Sequence, residues 1–500
     1  MTSGFIKTIM SLLIFIITYN QGLSNNVQIT NISYNSNDNT LSFHVSWDNA
    51  FRINTDWSDH VYIFAKYKNA NGTSWESVFF EQNGHSDDSA DMIFSADFNS
   101  TLVDGKRLAM RAYHMTSFTS GTQSANCTAQ LADNIDFLNP SFKVFGIEMI
   151  QISNTGNDYY IGDGISQYRW HKGDDTTQAY FWEHSSTGTA SVGTGPDDIN
   201  TTHPDGIAVS TISSHIFRPP NNIMKYEISQ IQYVEFLNCL NRTAQNNRTA
   251  TDISGTSITN VFVMTNTPNS PPFTRNGIRC DSTLPNGGPV TFYCDYNDNG
   301  IPNEYGDGQN IAVNYISGQD LYAYLDWAGL EPLNEIEYEQ ICRGSFIPVP
   351  GEFAWGTSEY YIATIPSGST NGSPDEYVSG GPMNGPLRMS QNPMRCGAAA
   401  TSETNRQQSG ASAYGIMELS GNVAELVISL KTATSFNTNI SVGDGVIDMF
   451  GNYDENWPTA IVSKGFAQNL PGETFTVSQR KELDLSFLAR SAFYGGRGGY

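Results

Sequence analysis

The sequence predicts an α+β fold in which an N-terminal antiparallel β-sandwich precedes a loop-rich mixed unit. Runs of β-branched and aromatic residues within the first 140 positions are separated by Asn, Asp and Gly clusters. Helical periodicity is confined to short stretches after residue 225. The 500-residue chain is 39% hydrophobic and contains 45 Gly and 21 Pro, which is typical of a folded protein with long loops.

Residues 1–24 are predicted to be a secretory signal peptide. Lys7 precedes the apolar run Thr8–Tyr19, and small residues follow up to Ser24. An uncleaved N-terminal anchor is the alternative. The run is too short to span a bilayer, and no later stretch is long enough. We therefore expect a secreted or surface-exposed protein without a membrane span.

The charge balance narrows the classes of partner. The chain has 50 acidic and 26 basic residues, a net charge of −24. A surface this acidic repels nucleic acid and anionic lipid, whereas it suits solubility and divalent cations. The sequence therefore predicts no nucleic-acid partner.

Residues 25–140 are predicted to form the β-sandwich, because short strands recur with turn residues between them. His44 and His60 are isolated within strands, so nothing in this unit indicates catalysis. The predicted strands cover 27–34, 40–47, 61–67, 77–81, 91–98 and 107–115.

Residues 141–500 are predicted to form the second unit, which mixes strands with three helices over 228–240, 317–327 and 333–342. In the third, Asn334 followed by Glu337 is a capping-box pattern. The stretch 345–413 is rich in Gly, Ser, Pro and Asn and is predicted to form long ordered loops. Such loops need pinning by bridges, metal or packing.

Six cysteines in an exported chain favour disulfides. Cys280 and Cys294 flank a Pro-Asn-Gly-Gly turn and are the best candidate pair. The pairing of the remaining four cysteines is left open. No CxxC or Cys-His cluster indicates a metal-thiolate site.

A candidate calcium loop begins at Asp295. Asp295, Asn297 and Asn299 offer side-chain oxygens at alternate positions, and Gly300 follows as the turn, as in the opening of an EF-hand loop. The twelfth position is Gly306, so Glu304 or Asp307 has to complete the ligand set. The alternative is a solvated Asn/Asp turn without metal.

Five blocks occur in order along the second unit. They include the strand pair around Glu148 and Tyr160, the helix blocks, Phe353-Ala-Trp-Gly356 and Tyr414-Gly-Ile-Met-Glu-Leu-Ser-Gly-Asn-Val-Ala-Glu425. Together these blocks resemble the formylglycine-generating enzyme family, also called the sulfatase-modifying factor family, across residues 145–500. There are two helix blocks, 224–236 and 322–344, and the second combines 322–327 with 331–344.

The resemblance implies a C-type-lectin-like fold. It also implies that Asn422 and Glu425 lie where the family's core motif can bind calcium, with a metal-free structural turn as the alternative. Ala424 stands where the family usually has Trp, which removes a packing anchor.

The family's copper chemistry requires two cysteines near the C-terminus, but the last cysteine here is Cys396. Soft thiolates select copper(I), and neighbouring Ser, Thr or Phe cannot replace them. We therefore expect no catalytic residue and no copper, and leave residual enzymatic activity open.

The expected function is that of a non-catalytic binding or display scaffold with calcium-stabilised loops and a protein or glycan ligand. The alternatives are a formylglycine-generating oxidase and a structural component of a surface secretion or gliding machine. By resemblance, the terminal segment Gly465–Gly496 would contact the ligand. The alternative is that the aromatic residues of this segment are buried in strands. The candidate contact residues are Phe466, Gln468, Asn469, Phe475, Phe487 and Tyr494.

Overall fold

A computed structural model describes most of the chain from residue 26 onward, so the predicted signal peptide lies outside the described residues. The residues left out after position 26 are 55–56, 70–71, 73, 98–99, 136–138, 153–157, 184–187, 256–260, 269–273, 281–287, 366–370, 379–384, 388–391, 402, 466–474 and 482–484.

Strands dominate the described residues. In chain order they are β1 (Gln28–Asn35), β2 (Thr40–Arg52), β3 (Trp57–Lys68), β4 (Glu76–Ser77), β5 (Ser86–Asp87), β6 (Met92–Ala96), β7 (Leu102–Val103), β8 (Lys106–Arg107), β9 (Ala109–His114), β10 (Phe118–Gln130), β11 (Ser141–Ile152), β12 (Tyr159–Ile161), β13 (Trp170–Lys172), β14 (Tyr180–Trp182), β15 (Thr189–Ser191), β16 (Ile199–Thr201), β17 (Thr211–Ser213), β18 (Asn222–Met224), β19 (Val261–Phe262), β20 (Ile278–Cys280), β21 (Tyr293–Cys294), β22 (Tyr360–Ile362), β23 (Gly385–Leu387), β24 (Ala424–Ile428), β25 (Ile461–Lys464) and β26 (Tyr494–Gly495).

The helices are short. They are α1 (Gln230–Leu237), α2 (Arg242–Asn247), α3 (Gly318–Ala328), α4 (Glu335–Arg343), α5 (Arg406–Ser409) and α6 (Ala433–Asn437), with a 3₁₀ turn at Ser214–Phe217.

A ten-stranded antiparallel sheet is the largest element, and it bears out the expectation of a β-rich α+β fold. Its main path runs β18-β11-β3-β2-β10-β5, with β1 beside β2 and β9 beside β3. β2 and β3 are bridged only at Arg52 and Ser58, yet their side chains meet in one core cluster. The sheet therefore folds back on itself in two layers at this corner.

β3 is buried on both faces because two cores meet there. Val61 and Ile63 face the core between the two layers, whereas Tyr62 and Phe64 belong to the core that contains α1 and α3. The Phe64 ring lies edge-on to Trp327 of α3, with 5.0 Å between ring centroids. A strand in this position needs apolar residues at consecutive positions.

The predicted boundary near residue 141 falls where the chain enters β11. This strand pairs with β3 along its whole length, from Ser141 opposite Lys68 to Ile152 opposite Trp57. The first strand of the predicted second unit thus belongs to the same sheet as the sandwich strands.

The predicted helices are present, with first and last residues that differ slightly from the predicted ones. α3 begins after Ser317, whose hydroxyl caps the helix, and α4 begins after Asn334. The predicted capping box is confirmed, since the Glu337 carboxylate accepts the Asn334 backbone N–H at 2.7 Å. α1 is shorter than predicted at both ends, and α2 follows as a separate helix.

The end of the chain closes the second unit. β24 pairs in parallel with β26 and antiparallel with β25. The last residue, Tyr500, exchanges backbone hydrogen bonds with Asn222 at the start of β18, and its hydroxyl lies 2.8 Å from Nε2 of His60 in β3. Among the described residues, no helix is long and apolar enough to cross a membrane.

Candidate metal site

The predicted calcium loop leaves the short β-hairpin β20–β21 at Asp295. The backbone N–H of Asp295 donates to the Gly277 carbonyl at 2.9 Å, which fixes the start of the loop. Asn303 closes it, because its side-chain oxygen accepts the Cys294 N–H at 2.9 Å and its own N–H donates to the Cys294 carbonyl at 3.0 Å. Both ends of the loop are therefore held by the sheet.

The loop curls around the buried Asp295 carboxylate. Oδ1 accepts the Asn299 N–H at 3.1 Å, and Oδ2 accepts the Gly300 N–H at 3.1 Å. Gly300 adopts a φ of +80°, a conformation that glycine takes without steric cost. The first and sixth positions of the loop are thus arranged as the sequence pattern predicts.

The other predicted ligands gather at the same place. The Glu304 carboxylate accepts Asn297 Nδ2 at 3.1 Å and also contacts Asn299 Nδ2. The amide oxygens accept backbone N–H groups, Asn297 Oδ1 from Asn299 at 3.0 Å and Asn299 Oδ1 from Ile301 at 2.8 Å, so a bound cation would have to share or replace these hydrogen bonds. Residues 297–300 are exposed, which leaves this side of the loop open to solvent.

Asp307 supplies the strongest sign that the loop holds a cation. Its Oδ2 accepts the Glu304 N–H at 2.7 Å, while its Oδ1 is buried without a hydrogen-bond partner. Burial raises the pKa of Asp307 to about 6; the charges of Asp295 and Glu304 act in the same direction, whereas hydrogen bonds from backbone N–H groups lower it. A buried carboxylate oxygen without a donor is a group that a cation could satisfy.

Arg279 balances part of this charge. Its Nη1 pairs with Asp295 Oδ2 and with Asp298 Oδ1, the second at 2.7 Å. The loop has four carboxylates, those of Asp295, Asp298, Glu304 and Asp307, and one guanidinium pairs with the first two, so three negative charges remain uncompensated. The available ligands are carboxylate and amide oxygens, which suit Ca²⁺.

Asn422 and Glu425 lie in a different cluster. The Asn422 side chain accepts the Met394 N–H at 2.7 Å and donates to Glu227 Oε2 at 2.5 Å. Glu425 pairs with Arg497, with Nη2 and Oε1 2.7 Å apart. The structure therefore does not bring this pair to the calcium loop, and the polar groups of both side chains are bound to protein partners.

Three buried glutamates surround Arg497, a grouping that the sequence analysis missed except for Glu425. Burial raises the pKa of Glu418 to about 7, against the lowering effect of Arg497. The pKa of Glu227 is raised well above its ordinary value by burial and by Glu425. Glu418 lies within the block 414–425, so the sequence contained one signal for the cluster.

The predicted ligand contacts fall into two groups. Phe466, Gln468 and Asn469 lie outside the described residues. Phe475 is buried in a core cluster, Phe487 lies edge-on to Tyr322, and Tyr494 is half-buried in β26. The described members of this set thus lie in or against cores rather than on one open surface.

A second acidic group consists of Asp326, Asp444 and Asp454, whose carboxylate oxygens lie within 4.8 Å of one another. Burial and the two neighbouring carboxylates raise the pKa of Asp326 to about 8. Its oxygens accept the N–H groups of Asp444 at 3.1 Å and Asp454 at 3.3 Å. This group was not predicted from the sequence, although Gly443-Asp-Gly445 signals a turn.

All six cysteines are described and buried, and no disulfide joins any of them. Cys294 lies opposite Ile278 in the hairpin, so Cys280 is its diagonal neighbour on the same face. Diagonal neighbours are roughly 7–8 Å apart, beyond the usual Cα separation of a disulfide. The Cys280–Cys294 bridge therefore stays a prediction, and it would require a shift of the backbone.

Comparisons with known proteins add little. The chain matches no family model and no curated protein. Six chains of solved structures match. One of these chains, described as "pH-induced modulation of Streptococcus parasanguinis adhesion by Fap1 fimbriae", is 12% identical to this protein. The matched region covers 33% of this chain and 86% of that chain, and the TM-score is 0.13. A likeness this weak carries no conclusion about fold or function.

Proposed function

We propose that this protein is a secreted or surface-exposed, non-catalytic binding scaffold whose loops are stabilised by calcium. The observation that carries the calcium assignment is the buried, donor-free Oδ1 of Asp307 beside Asp295 and Glu304. The ion would neutralise these carboxylates and satisfy the carboxylate oxygen that has no hydrogen-bond donor in the protein.

The calcium loop is positioned to stabilise a neighbouring segment. The Tyr305 hydroxyl donates to Asp375 at 2.5 Å, and the Gly308 N–H donates to the Gly372 carbonyl at 2.9 Å. Next to these contacts, Arg275 forms an ion pair with Glu376. An ion in the loop would therefore help to hold residues 371–376, within the stretch for which the sequence predicts a need for pinning.

We also propose that residues 141–500 are a divergent, C-type-lectin-like relative of the formylglycine-generating enzymes. The blocks that carry the resemblance pack against one another, which supports this assignment. Tyr338 from the second helix block donates its hydroxyl to the Leu419 carbonyl in the block 414–425. Ala424 packs in one cluster with Trp355 and Phe475, whose rings surround the position where the family usually has Trp.

The two thiols nearest the C-terminal end of the sequence, Cys342 and Cys396, argue against a copper(I) site. Cys342 and Cys396 belong to separate core clusters. Burial raises the pKa of Cys342 to about 12 and that of Cys396 well above its ordinary value. A copper(I) site of this kind requires two converging thiolates, and these two buried thiols do not supply them.

An oxygen-uptake assay tests the non-catalytic assignment. The full chain, supplied with copper(I), oxygen and a cysteine-containing sulfatase peptide, is expected to give no formylglycine by mass spectrometry. A copper-loaded formylglycine-generating enzyme serves as the positive control. Turnover above the protein-free background contradicts the proposal and restores the oxidase alternative. Recovery of the protein in a stable surface complex would favour the structural-component alternative.

A further inference from the structure

A cavity of about 560 Å³ opens along the seam between the N-terminal sheet and the C-terminal half. Its walls come from β3, from the segment around β4, from the end of α1 and from Trp327 in α3, and residues 445–449 form one lip. Ligand pockets typically measure roughly 300–1,000 Å³ and lie where two parts of a chain meet. The cavity is separate from the calcium loop and is not assigned by the proposed function.

The inner wall and the lip are mainly apolar. Trp75, Leu240 and Trp327 line the interior. At the lip, Val446 is 48% exposed and Met449 67% exposed. Burying large, exposed apolar side chains at the mouth of a cavity against an apolar ligand is favourable, because it removes apolar surface from water.

Three uncharged polar side chains of the wall already have protein partners, whereas Trp327 Nε1 is buried without one. The Tyr67 hydroxyl donates to Glu76 at 2.8 Å, Ser77 Oγ donates to the Gly445 carbonyl at 2.7 Å, and Asn241 Nδ2 donates to the Met449 carbonyl at 2.8 Å. A sugar would find few unused partners for its hydroxyls here. The lining therefore favours an apolar ligand over a polyhydroxylated one.

The charged groups of the wall are all acidic. Glu76, Asp133 and Asp448 line the cavity, and the described lining residues include no Lys or Arg. Asp448 caps its own loop by accepting the N–H groups of Phe450 and Asn452 at 2.8 Å, but neutral donors leave its charge in place. An acidic wall of this kind favours a ligand with a positive charge.

The nearby lysines are engaged elsewhere. Lys66 lies behind the wall and donates to the carbonyls of Trp327 and Gly445, both at 2.7 Å, and Lys106 pairs with Asp133. Lys68 and Lys143 lie over the Trp75 ring, at 4.9 and 5.0 Å from its centroid. Glu76 and Asp448 remain without a basic partner among the ion pairs of the described residues.

We propose that this cavity binds an amphiphile with an apolar chain and one cationic head group. The chain lies between Trp75 and the lip formed by Val446 and Met449. The ammonium group faces Glu76 and Asp448 at the rim.

Three probes with the same tail test the proposal: n-octyltrimethylammonium, n-octyl sulfate and n-octyl glucoside, each titrated below its critical micelle concentration into the full chain. Isothermal calorimetry is expected to show saturable binding of the ammonium probe, with binding of the other two weaker by about tenfold or more. Equal or tighter binding of the sulfate or the glucoside overturns the head-group assignment. Failure of all three to bind overturns the site.

Variants locate the bound probe. The double substitution Val446→Ala and Met449→Ala is expected to weaken ammonium binding by about tenfold, whereas Phe450→Ala, on the neighbouring exposed residue outside the lining, leaves it unchanged. Glu76→Gln keeps the acceptor for Tyr67 and is expected to reduce the preference for the cationic probe. Near-ultraviolet circular dichroism checks that each variant is folded. Ammonium binding that survives the double substitution in a folded protein places the probe elsewhere and contradicts the proposal.

Discussion

The backbone N–H of Glu304 donates to Oδ2 of Asp307 at 2.7 Å and leaves the other oxygen of that carboxylate buried without a donor. The hydrogen bond fixes the orientation of the carboxylate, so Oδ1 cannot turn to water without losing the Glu304 contact. A divalent cation satisfies both oxygens without moving the backbone. This pair of residues connects the fold of the loop to the proposed chemistry.

Asp307→Asn is expected to abolish stabilisation by calcium. The amide keeps the shape of the side chain but lacks the charge that the ion needs. For the wild type, calcium at about 100 times its dissociation constant would add roughly 2.7 kcal/mol to the free energy of unfolding. Urea denaturation with calcium and with a chelator measures the difference. Asp454→Asn, in the second acidic group, is the matched control and should keep the calcium effect; the reverse pattern would move the ion to that group.

The stability of the calcium-free protein should depend on pH through Asp307. The pKa of this group is raised to about 6 in the fold, so the folded state binds more protons than the unfolded state between about pH 4 and pH 6. Stability therefore falls as pH rises through this window. Calcium competes with the proton, so its affinity rises over the same range. In Asp307→Asn, this component of the pH dependence should disappear from urea denaturation curves; an unchanged profile would mean that Asp307 is not the titrating group.

Arg497→Met should be strongly destabilising, because it leaves Glu425 and its neighbours buried without a cation. Removing one partner of a buried ion pair typically costs about 3–5 kcal/mol, measurable as a shift of the denaturation midpoint. The matched control is Arg490→Met. Arg490 is partly exposed, and its partner Asp320 keeps a second arginine, Arg248, at 3.2 Å. If the two variants lose the same free energy of unfolding, Arg497 has no special role in stability.

Phe475→Ala should act on stability rather than on ligand binding. The ring is 1% exposed and packs with Phe353 and Trp355. Truncating a buried Phe typically costs about 3–5 kcal/mol. Leu488→Ala, at a residue that is 66% exposed, should change the free energy of unfolding by less than about 0.5 kcal/mol. A stable Phe475→Ala protein with altered ligand binding would instead support the predicted contact role.

Elements with strong local signals could be predicted from the sequence. The strands of the N-terminal sheet follow runs of β-branched and aromatic residues, and α4 begins at its predicted cap. β10 was missed because its inward side chains are small: Ala125, Cys127 and Ala129 lie beside the large residues of β2. Small residues opposite Leu41, Phe43 and Val45 fill the core well, yet they form no hydrophobic run in the sequence.

The candidate sites also differ in whether they could be predicted from the sequence. The loop from Asp295 could be predicted because its ligands are close in sequence and their spacing determines the geometry. Asp326, Asp444 and Asp454 come together only because residues 443–454 pack against the end of α3. Likewise, Glu227 reaches Asn422 through tertiary packing. Contacts between residues far apart in the chain leave no pattern in a single sequence.

The most direct test of the calcium assignment is the metal content of the purified protein, measured by plasma mass spectrometry after equilibration with calcium and copper and removal of free ions. The account predicts about one calcium per chain in the wild type, loss of that calcium in Asp307→Asn and its retention in Asp454→Asn. It also predicts no stoichiometric copper. Stoichiometric copper, or a calcium content that Asp307→Asn leaves unchanged, would contradict it.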